Sequence, residues 1–297
     1  MIVLTGKEIA DAERARIKQE SAAFTASTGI KPCLAVVLVG DDAPSATYVA
    51  SKGKACDEMG FSHVDHHLKT DCDLQTLLTL IDSLNHDRSI HGILVQFPLP
   101  AQLDETTVIQ ALDPDKDVDG IHPQNLGKLL LGQDGFVACT PAGVLRMLDF
   151  HGIPTSGRHV VIVGRSAIVG KPMAALLMQK NRDATVTVCH SKTQDLPSIT
   201  RTADILIVAM GKPAYITRDM VKPGAVVIDI GINRVPDTSK KRGYHLVGDV
   251  DYETVAPLCS AITPVPGGVG VMTIAMLMSN TLRAAKILVP GLTNVEK

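Results

Sequence analysis
The stretch HVVIVGRSAIVGKP, His159 to Pro172, decides the fold. It opens on an apolar, β-branched run that stops at Gly164, and the pattern turns helical at Pro172. Strand, glycine turn and helix in that order read as the start of a βαβ unit. The first turn of such a helix has unpaired backbone N–H groups and the positive end of the helix dipole, so it can hold a phosphate. Gly164 and Gly170 are six residues apart, which is not the G-x-G-x-x-G spacing. Taken alone, the turn also suits an ordinary strand-to-helix connection.

The next strand adds weight. ATVTVC, Ala184 to Cys189, ends in His190, Ser191 and Lys192 with no carboxylate. A dinucleotide site meets the adenosine ribose there, and NAD enzymes place Asp or Glu at that point. The Ser191 hydroxyl and the Arg165 guanidinium instead suit a 2′-phosphate, as in NADP. Each such charge-assisted hydrogen bond is worth about 1.5–3 kcal/mol. Arg165 is otherwise a solvated surface charge.

Working outward, short apolar runs alternate with helical patterns on both sides, which implies parallel sheets covered by helices. Strands are expected at Cys33 to Val39, His63 to Leu68 and Gly92 to Gln96, with helices at Ser45 to Met59 and Leu74 to Asn85. After the polar turn DPDKDVDG the pattern restarts. A helix from Thr140 to Phe150 and one from Pro172 to Lys180 flank the deciding strand. Further strands fall at Ile205 to Ala209 and Ala225 to Ile230, and a long helix at Val269 to Ile287. With 297 residues and roughly 150 per domain, two domains are expected.

Charge and composition exclude several classes. Lys plus Arg total 29 against 31 Asp plus Glu, a net charge of −2 that argues against a dedicated nucleic-acid binder. Trp is absent and aromatics are 3%, too few for base-stacking platforms. The six cysteines are scattered without a C-x-x-C pair, which speaks against a disulfide framework or a zinc site. His63, His66, His67, His86 and His91 cluster in sequence, yet no carboxylate or Cys spacing completes a metal site. The N-terminus lacks a signal-peptide core, and Asn280, Arg283 and Lys286 interrupt the late apolar segment. A cytoplasmic protein without nucleic-acid or membrane partners is expected.

The first half carries a polar constellation. Tyr48 and Lys52 are four residues apart on one helix face. A lysine amine serves in acid–base chemistry once desolvation lowers its pKa. Gln96 ends the strand GILVQ, where parallel strands collect ligand contacts. Asp117 and Asp119 sit in the DVDG turn, where acidic residues are common turn formers. ITPVPGGVGVMT, Ile262 to Thr273, has little side chain, so a ligand can approach its backbone closely.

Jointly these stretches resemble the bifunctional methylenetetrahydrofolate dehydrogenase/methenyltetrahydrofolate cyclohydrolase family. The matching segments are VGDDAPSATYVASKGKAC, GILVQFPLP, DKDVDGIHPQN, CTPAGV, VIVGRSAIVGKP, VIDIGIN, VGDV and TPVPGGVGVMT, in family order from Val39 to Thr273. The resemblance implies two α/β domains with a cleft between them. Residues 1–121 plus 272–297 would form the folate-binding catalytic domain, and residues 122–271 a Rossmann-like NADP-binding domain. It further implies a homodimer acting on tetrahydrofolate one-carbon derivatives, in one-carbon metabolism and purine biosynthesis.

By the same resemblance Lys52 is the general acid/base, Tyr48 stands beside it, Gln96 hydrogen-bonds it and keeps it partly neutral, and Asp119 holds the pterin ring. Gly164, Arg165, Ser166, Ser191 and Ile232 fall on NADP-binding positions. Pro264, Gly267 and Gly268 would line the cleft between cofactor and folate. Two departures stand out: Ala43-Pro44-Ser45 replaces Pro-Ala-Ser, and Val271 replaces a proline, freeing a backbone N–H. Two other readings stay open here, an NADP-dependent dehydrogenase of another small substrate and a non-catalytic nucleotide-binding protein.

Overall fold
The alternation of apolar strands and helices builds two separate parallel sheets. A computed structural model describes residues 1–240 and 242–289, with Ala43 and Pro44 as backbone only. The end of the expected segment 272–297, from position 290, and the side chains of the Ala43-Pro44 departure lie outside the described residues.

The chain opens with β1 (Ile2–Val3) and α1 (Lys7–Thr28). Next come β2 (Cys33–Val39), α2 (Ala43–Met59), β3 (Ser62–Leu68), α3 (Leu74–His86), β4 (Gly92–Val95), α4 (Glu105–Ala111) and α5 (Pro123–Leu130). The second half runs α6 (Cys139–Phe150), β5 (His159–Val163), α7 (Gly170–Leu177), β6 (Thr185–Cys189), α8 (Leu196–Thr200), β7 (Ile205–Val208) and β8 (Val226–Asp229). It closes with β9 (Asn233–Pro236), β10 (Tyr244–Val247), α9 (Tyr252–Val255), β11 (Ala261–Ile262) and α10 (Gly270–Leu288).

One sheet has the order β3-β2-β4, with β2 parallel to both neighbours. All of β2, CLAVVLV, is buried, as a central strand covered on both faces requires. The other sheet has the order β1-β11-β8-β7-β5-β6, parallel throughout. In each, the first strand of the βαβ series lies between the second and the third. The crossovers diverge there, and the carboxyl end of that strand opens into a crevice. β9 and β10 pair as a separate antiparallel ribbon.

The chain divides into two compact units. The unit of the six-stranded sheet comprises Met1–Asp11, Leu129–Gly132 and Thr140–Thr273; the other comprises Ala12–Lys128, Gln133–Cys139 and the chain from Ile274. The division differs from the expected 1–121 and 122–271 at two places. The N-terminal residues join the six-stranded sheet because β1 pairs with β11, with Ile2 opposite Ala261. The long run of the six-stranded unit starts at Thr140 rather than at 122, and the start of α5 stays with the other unit, since Asn125 donates to Pro114 O and Asp117 Oδ2, both at 2.9 Å.

Most expected elements shift by only one or two residues. α1 has no counterpart in the sequence reading: its charges and alanines mask a sparse core face of Ile9, Ile17 and Phe24. α7 starts at Gly170, before Pro172, and is buried along its length. α10 is long and apolar enough to cross a membrane by length and composition, and half of its apolar window is buried inside the fold.

Candidate active site
The first site gathers where β2 and β4 end. Asp42 caps α2, accepting from Ser45 N at 2.9 Å and Ser45 Oγ at 2.7 Å, which fixes how α2 leaves the sheet. Lys52, midway along α2, is partly buried, and its Nζ donates to Gln96 Oε1 at 2.7 Å. Gln96 N donates to Val37 O at 2.8 Å and its Nε2 to Phe97 O at 2.7 Å, so both ends of the amide are fixed. Burial pushes the Lys52 amine below the usual lysine range, while Asp119 and the Cys139 thiol pull it the other way. Gln96 therefore orients the amine but is not what makes it neutral. An amide oxygen accepting from Nζ favours the ammonium form, and desolvation alone drives the shift.

Asp119 is held by its own loop. Asp117, fully buried, accepts from Gly120 N at 3.1 Å, Ile121 N at 3.2 Å, His122 N at 2.8 Å and Asn125 Nδ2 at 2.9 Å. The turn is thereby closed around one carboxylate, and Asp119 points elsewhere. Burial raises the Asp119 carboxyl above its ordinary value, Lys52 opposes this, and Asp117 adds to it. The Cys139 thiol bonds the Asp119 side chain and donates to Val118 O at 3.3 Å; burial, then the two aspartates, raise its pKa well above a free thiol's. Asn280 of α10 donates to Val118 O at 2.9 Å and Val137 O at 3.1 Å, clamping the same loop. Tyr48 lies one helical turn before Lys52, 46% exposed, and its hydroxyl bonds nothing among the described residues. Lys52, Gln96 and Asp119 are brought together; Tyr48 stands at the rim.

The second site lies at the carboxyl end of β5. Gly164 has φ +137°, and a Cβ there would stand 2.2 Å from Ala209 O, so only glycine fits. A Cβ on Gly170 would meet Gly164 O at 2.1 Å. The two glycines let the turn fold onto itself, and residues 165–168 project into solvent. Ser166 Oγ accepts from Val169 N at 3.1 Å, so its hydroxyl is engaged in starting α7. Arg165 is exposed and has no ion-pair partner among the described residues. Beyond β6, His190 and Thr193 close a turn that leaves Ser191 exposed. A free guanidinium, an exposed hydroxyl and a glycine turn with no nearby strand-end carboxylate fit a dinucleotide carrying a 2′-phosphate. Ile232 is exposed after β8. Pro264 to Gly268 form a loop with a cis Val265–Pro266 bond, and Gly267 O accepts from Gly6 N at 2.9 Å. Val271 Cγ2 lies against Gly6, where a Cβ would meet it at 2.6 Å.

Comparison with known proteins agrees with this geometry. Residues 4–119 match the catalytic domain of the tetrahydrofolate dehydrogenase/cyclohydrolase family, and residues 138–289 match its NAD(P)-binding domain. The chain belongs to the tetrahydrofolate dehydrogenase/cyclohydrolase family. Among its relatives, the bifunctional protein FolD of Chlorobium phaeobacteroides is 56% identical over 96% of this chain and 98% of its own. The fold is similar to the bifunctional FolD enzyme of Campylobacter jejuni, with a TM-score of 0.92 and 48% identity over 97% of this chain and 100% of that one. It is also similar to the Trypanosoma brucei methylenetetrahydrofolate dehydrogenase-cyclohydrolase, solved with NADP cofactor and inhibitor. There the TM-score is 0.92 at 37% identity, covering 97% of this chain and 98% of that one.

Within this family member, several residues at the two sites lie outside the sequence reading of function. Asp117, Cys139 and Asn280 build the seat of Asp119. Asp117 reads as a plain turn former because its four donors come from the residues after it and from α5. Cys139 is the first residue of CTPAGV, so the motif marks the position without its partner. Of the clustered histidines, His63 Nδ1 is 3.6 Å from Asp57, His67 Nε2 is 2.9 Å from Gly40 O, and His91 Nδ1 accepts from Cys33 N at 3.1 Å. Among the described residues, no group of three or more His, Cys, Asp or Glu is placed to hold a metal ion.

Proposed function
We propose that this protein oxidises 5,10-methylenetetrahydrofolate to 5,10-methenyltetrahydrofolate with NADP, and then hydrolyses that cation to 10-formyltetrahydrofolate. The observation that carries the reading is the Lys52 amine, desolvated and held by Gln96 at 2.7 Å beside the Asp119 carboxyl. The first reaction removes a hydride from the one-carbon bridge of the folate. NADP, when bound, supplies the acceptor for that hydride. Gly164, Arg165, Ser166, Ser191 and Ile232 would hold it, with Arg165 and Ser191 suited by charge and exposure to the 2′-phosphate.

In the second reaction water adds to the methenyl carbon and the ring opens, which moves protons on and off nitrogen and oxygen. Lys52 moves them. Its lowered pKa leaves a larger neutral fraction to accept a proton from water, and the ammonium so formed returns it to the departing nitrogen. Gln96 aims the amine by fixing one of its hydrogens. Asp119, held beside Lys52, offers its carboxyl oxygens as hydrogen-bond acceptors to the pterin ring. Tyr48, free at its hydroxyl, covers the substrate beside Lys52. Pro264, Gly267 and Gly268 present backbone rather than side chain to the ligands.

Family resemblance supports a homodimer working in the cytoplasm, the near-balanced charge speaks against nucleic-acid partners, and Asn280, Arg283 and Lys286 in α10 speak against a membrane span. The family resemblance also supports a role of the 10-formyl product in purine biosynthesis. Sedimentation of the purified chain tests the dimer. The decisive assay is absorbance: NADP reduction that starts only on adding methylenetetrahydrofolate, and loss of the methenyl chromophore at a rate above the uncatalysed one. Failure of either half, or equal rates with NAD, overturns the corresponding part of the reading.

A further inference from the structure
Two buried carboxylates lie behind the cofactor end of the six-stranded sheet. Asp249 is fully buried and accepts four hydrogen bonds. Its Oδ2 takes Met210 N at 2.6 Å and Gly211 N at 2.9 Å; its Oδ1 takes Lys212 N and Asn233 Nδ2, each at 2.8 Å. Asp229, at the end of β8, takes Gly231 N and Asp249 N on Oδ1, each at 3.0 Å, and Val250 N on Oδ2 at 2.9 Å. The backbone approaches both carboxylates closely. A Cβ on Gly231 would stand 2.2 Å from Asp249 Cγ, and one on Gly248 would stand 1.8 Å from Asp229 Oδ2.

The segments so tied carry or flank the proposed NADP site. Met210 to Lys212 follow Ala209, whose carbonyl packs on Gly164. Gly231 and Asn233 flank Ile232. Asp229 N donates to Thr263 Oγ1 at 2.7 Å, and Thr263 begins the run to Pro264, Gly267 and Gly268. A carboxylate that accepts a row of successive backbone N–H groups fixes their conformation as a bound anion would. Aspartate suits this task, because its two oxygens can each take two donors and an amide cannot.

Resting on the reading of this edge as the NADP site, we propose that Asp249 and Asp229 are positioning residues that set the loops after β7, β8 and β11 for the cofactor. Neither carboxylate touches the ligand. Asp249 locks the loop against which Gly164 packs and the segment bearing Ile232. The Asp229 carboxylate locks the segment bearing Asp249, and the Asp229 backbone N–H, bonded to Thr263 Oγ1, ties the end of β8 to the start of the glycine loop.

The test is NADP binding by calorimetry on the full chain, with both activities measured on the same preparations. Asp249→Asn is expected to weaken NADP about 10- to 100-fold, the scale of a small misplacement of binding groups. The KM for NADP rises in step, while the KM for methylenetetrahydrofolate and the methenyl hydrolysis rate stay near wild type. A purely structural defect would lower hydrolysis too. Asn233→Ala and Thr263→Val, which each remove one link, are expected to weaken NADP by a few-fold. A folded Asp249→Asn chain binding NADP as wild type does overturns the inference. If that variant does not fold, wild-type NADP affinity in both Asn233→Ala and Thr263→Val overturns it. A wild-type chain that binds no NADP overturns instead the proposed function, and this inference with it.

Discussion
The two sheets share a winding but use it oppositely. At the end of β2 the chain places ionisable side chains, Lys52 and Asp119, and removes water from them, so burial shifts both toward their neutral forms. At the end of β5 it places glycines and lets Arg165 and Ser191 stand in solvent. There the buried carboxyl groups, Asp229 and Asp249, bind backbone N–H groups. The contrast follows from the chemistry each edge performs. Proton transfer needs a pKa near working pH, which desolvation supplies. Holding a polyanion needs N–H donors and cations that keep their charge.

The sharpest way to break the contrast is Lys52→Met. It is expected to lower methenyl hydrolysis by about 10²- to 10⁴-fold, the range of positioned acid–base catalysis, and to leave NADP affinity unchanged. Equal losses at both sites, measured by hydrolysis rate and NADP titration, would mean the two edges are not separable. Next in size is the pair Arg165→Ala and Ser191→Ala. Together they should weaken NADP about 10- to 100-fold and NAD little, since both substitutions remove charge-assisted hydrogen bonds to the 2′-phosphate, a group NAD does not carry. Titrating both dinucleotides into the double variant decides it.

Gly164→Ala probes the backbone edge itself. A side chain at φ +137°, pressed on Ala209 O, is expected to lower stability by about 1–3 kcal/mol and NADP affinity with it, read by denaturant melts. Ala at Gly53 of α2 should have no such effect on NADP.

The last effect is read in pH. Burial raises the Asp229 carboxyl to about 7 from 3.8, so the folded chain holds a proton there that the unfolded chain has released. Stability from this group is full below pH 3.8 and falls as pH rises to about 7. Asp229→Asn should flatten that slope in melts between those limits. Lys52 has the opposite sign. With its amine lowered from 10.5, the unfolded chain binds the extra proton, and stability rises with pH up to that value. Lys52→Met removes this rise.

Much of this was legible from residues alone. The apolar run before Gly164, the missing carboxylate after Cys189, and the helical spacing of Tyr48 and Lys52 are local patterns, and local patterns specify strands, turns and faces. Not legible were β1, two residues long with both side chains exposed, and α1, whose core face is thin. Asp229 and Asp249 sit in segments quoted for their likeness to the family, yet nothing in VIDIGIN or VGDV says which backbone each carboxylate accepts.

The order of strands, the glycine turn and the candidate amine were thus determined by the sequence itself, because hydrophobic periodicity and φ restrictions act within a few residues. Only the tertiary structure decided that Lys52 meets Gln96, 44 positions away, that Asp117 closes its own turn while Asp119 lies near Lys52, and that one buried aspartate gathers N–H groups from a loop 37 to 39 residues earlier. Those outcomes depend on which strands lie side by side and on how much water packing removes, and neither is written in the spacing of residues along the chain.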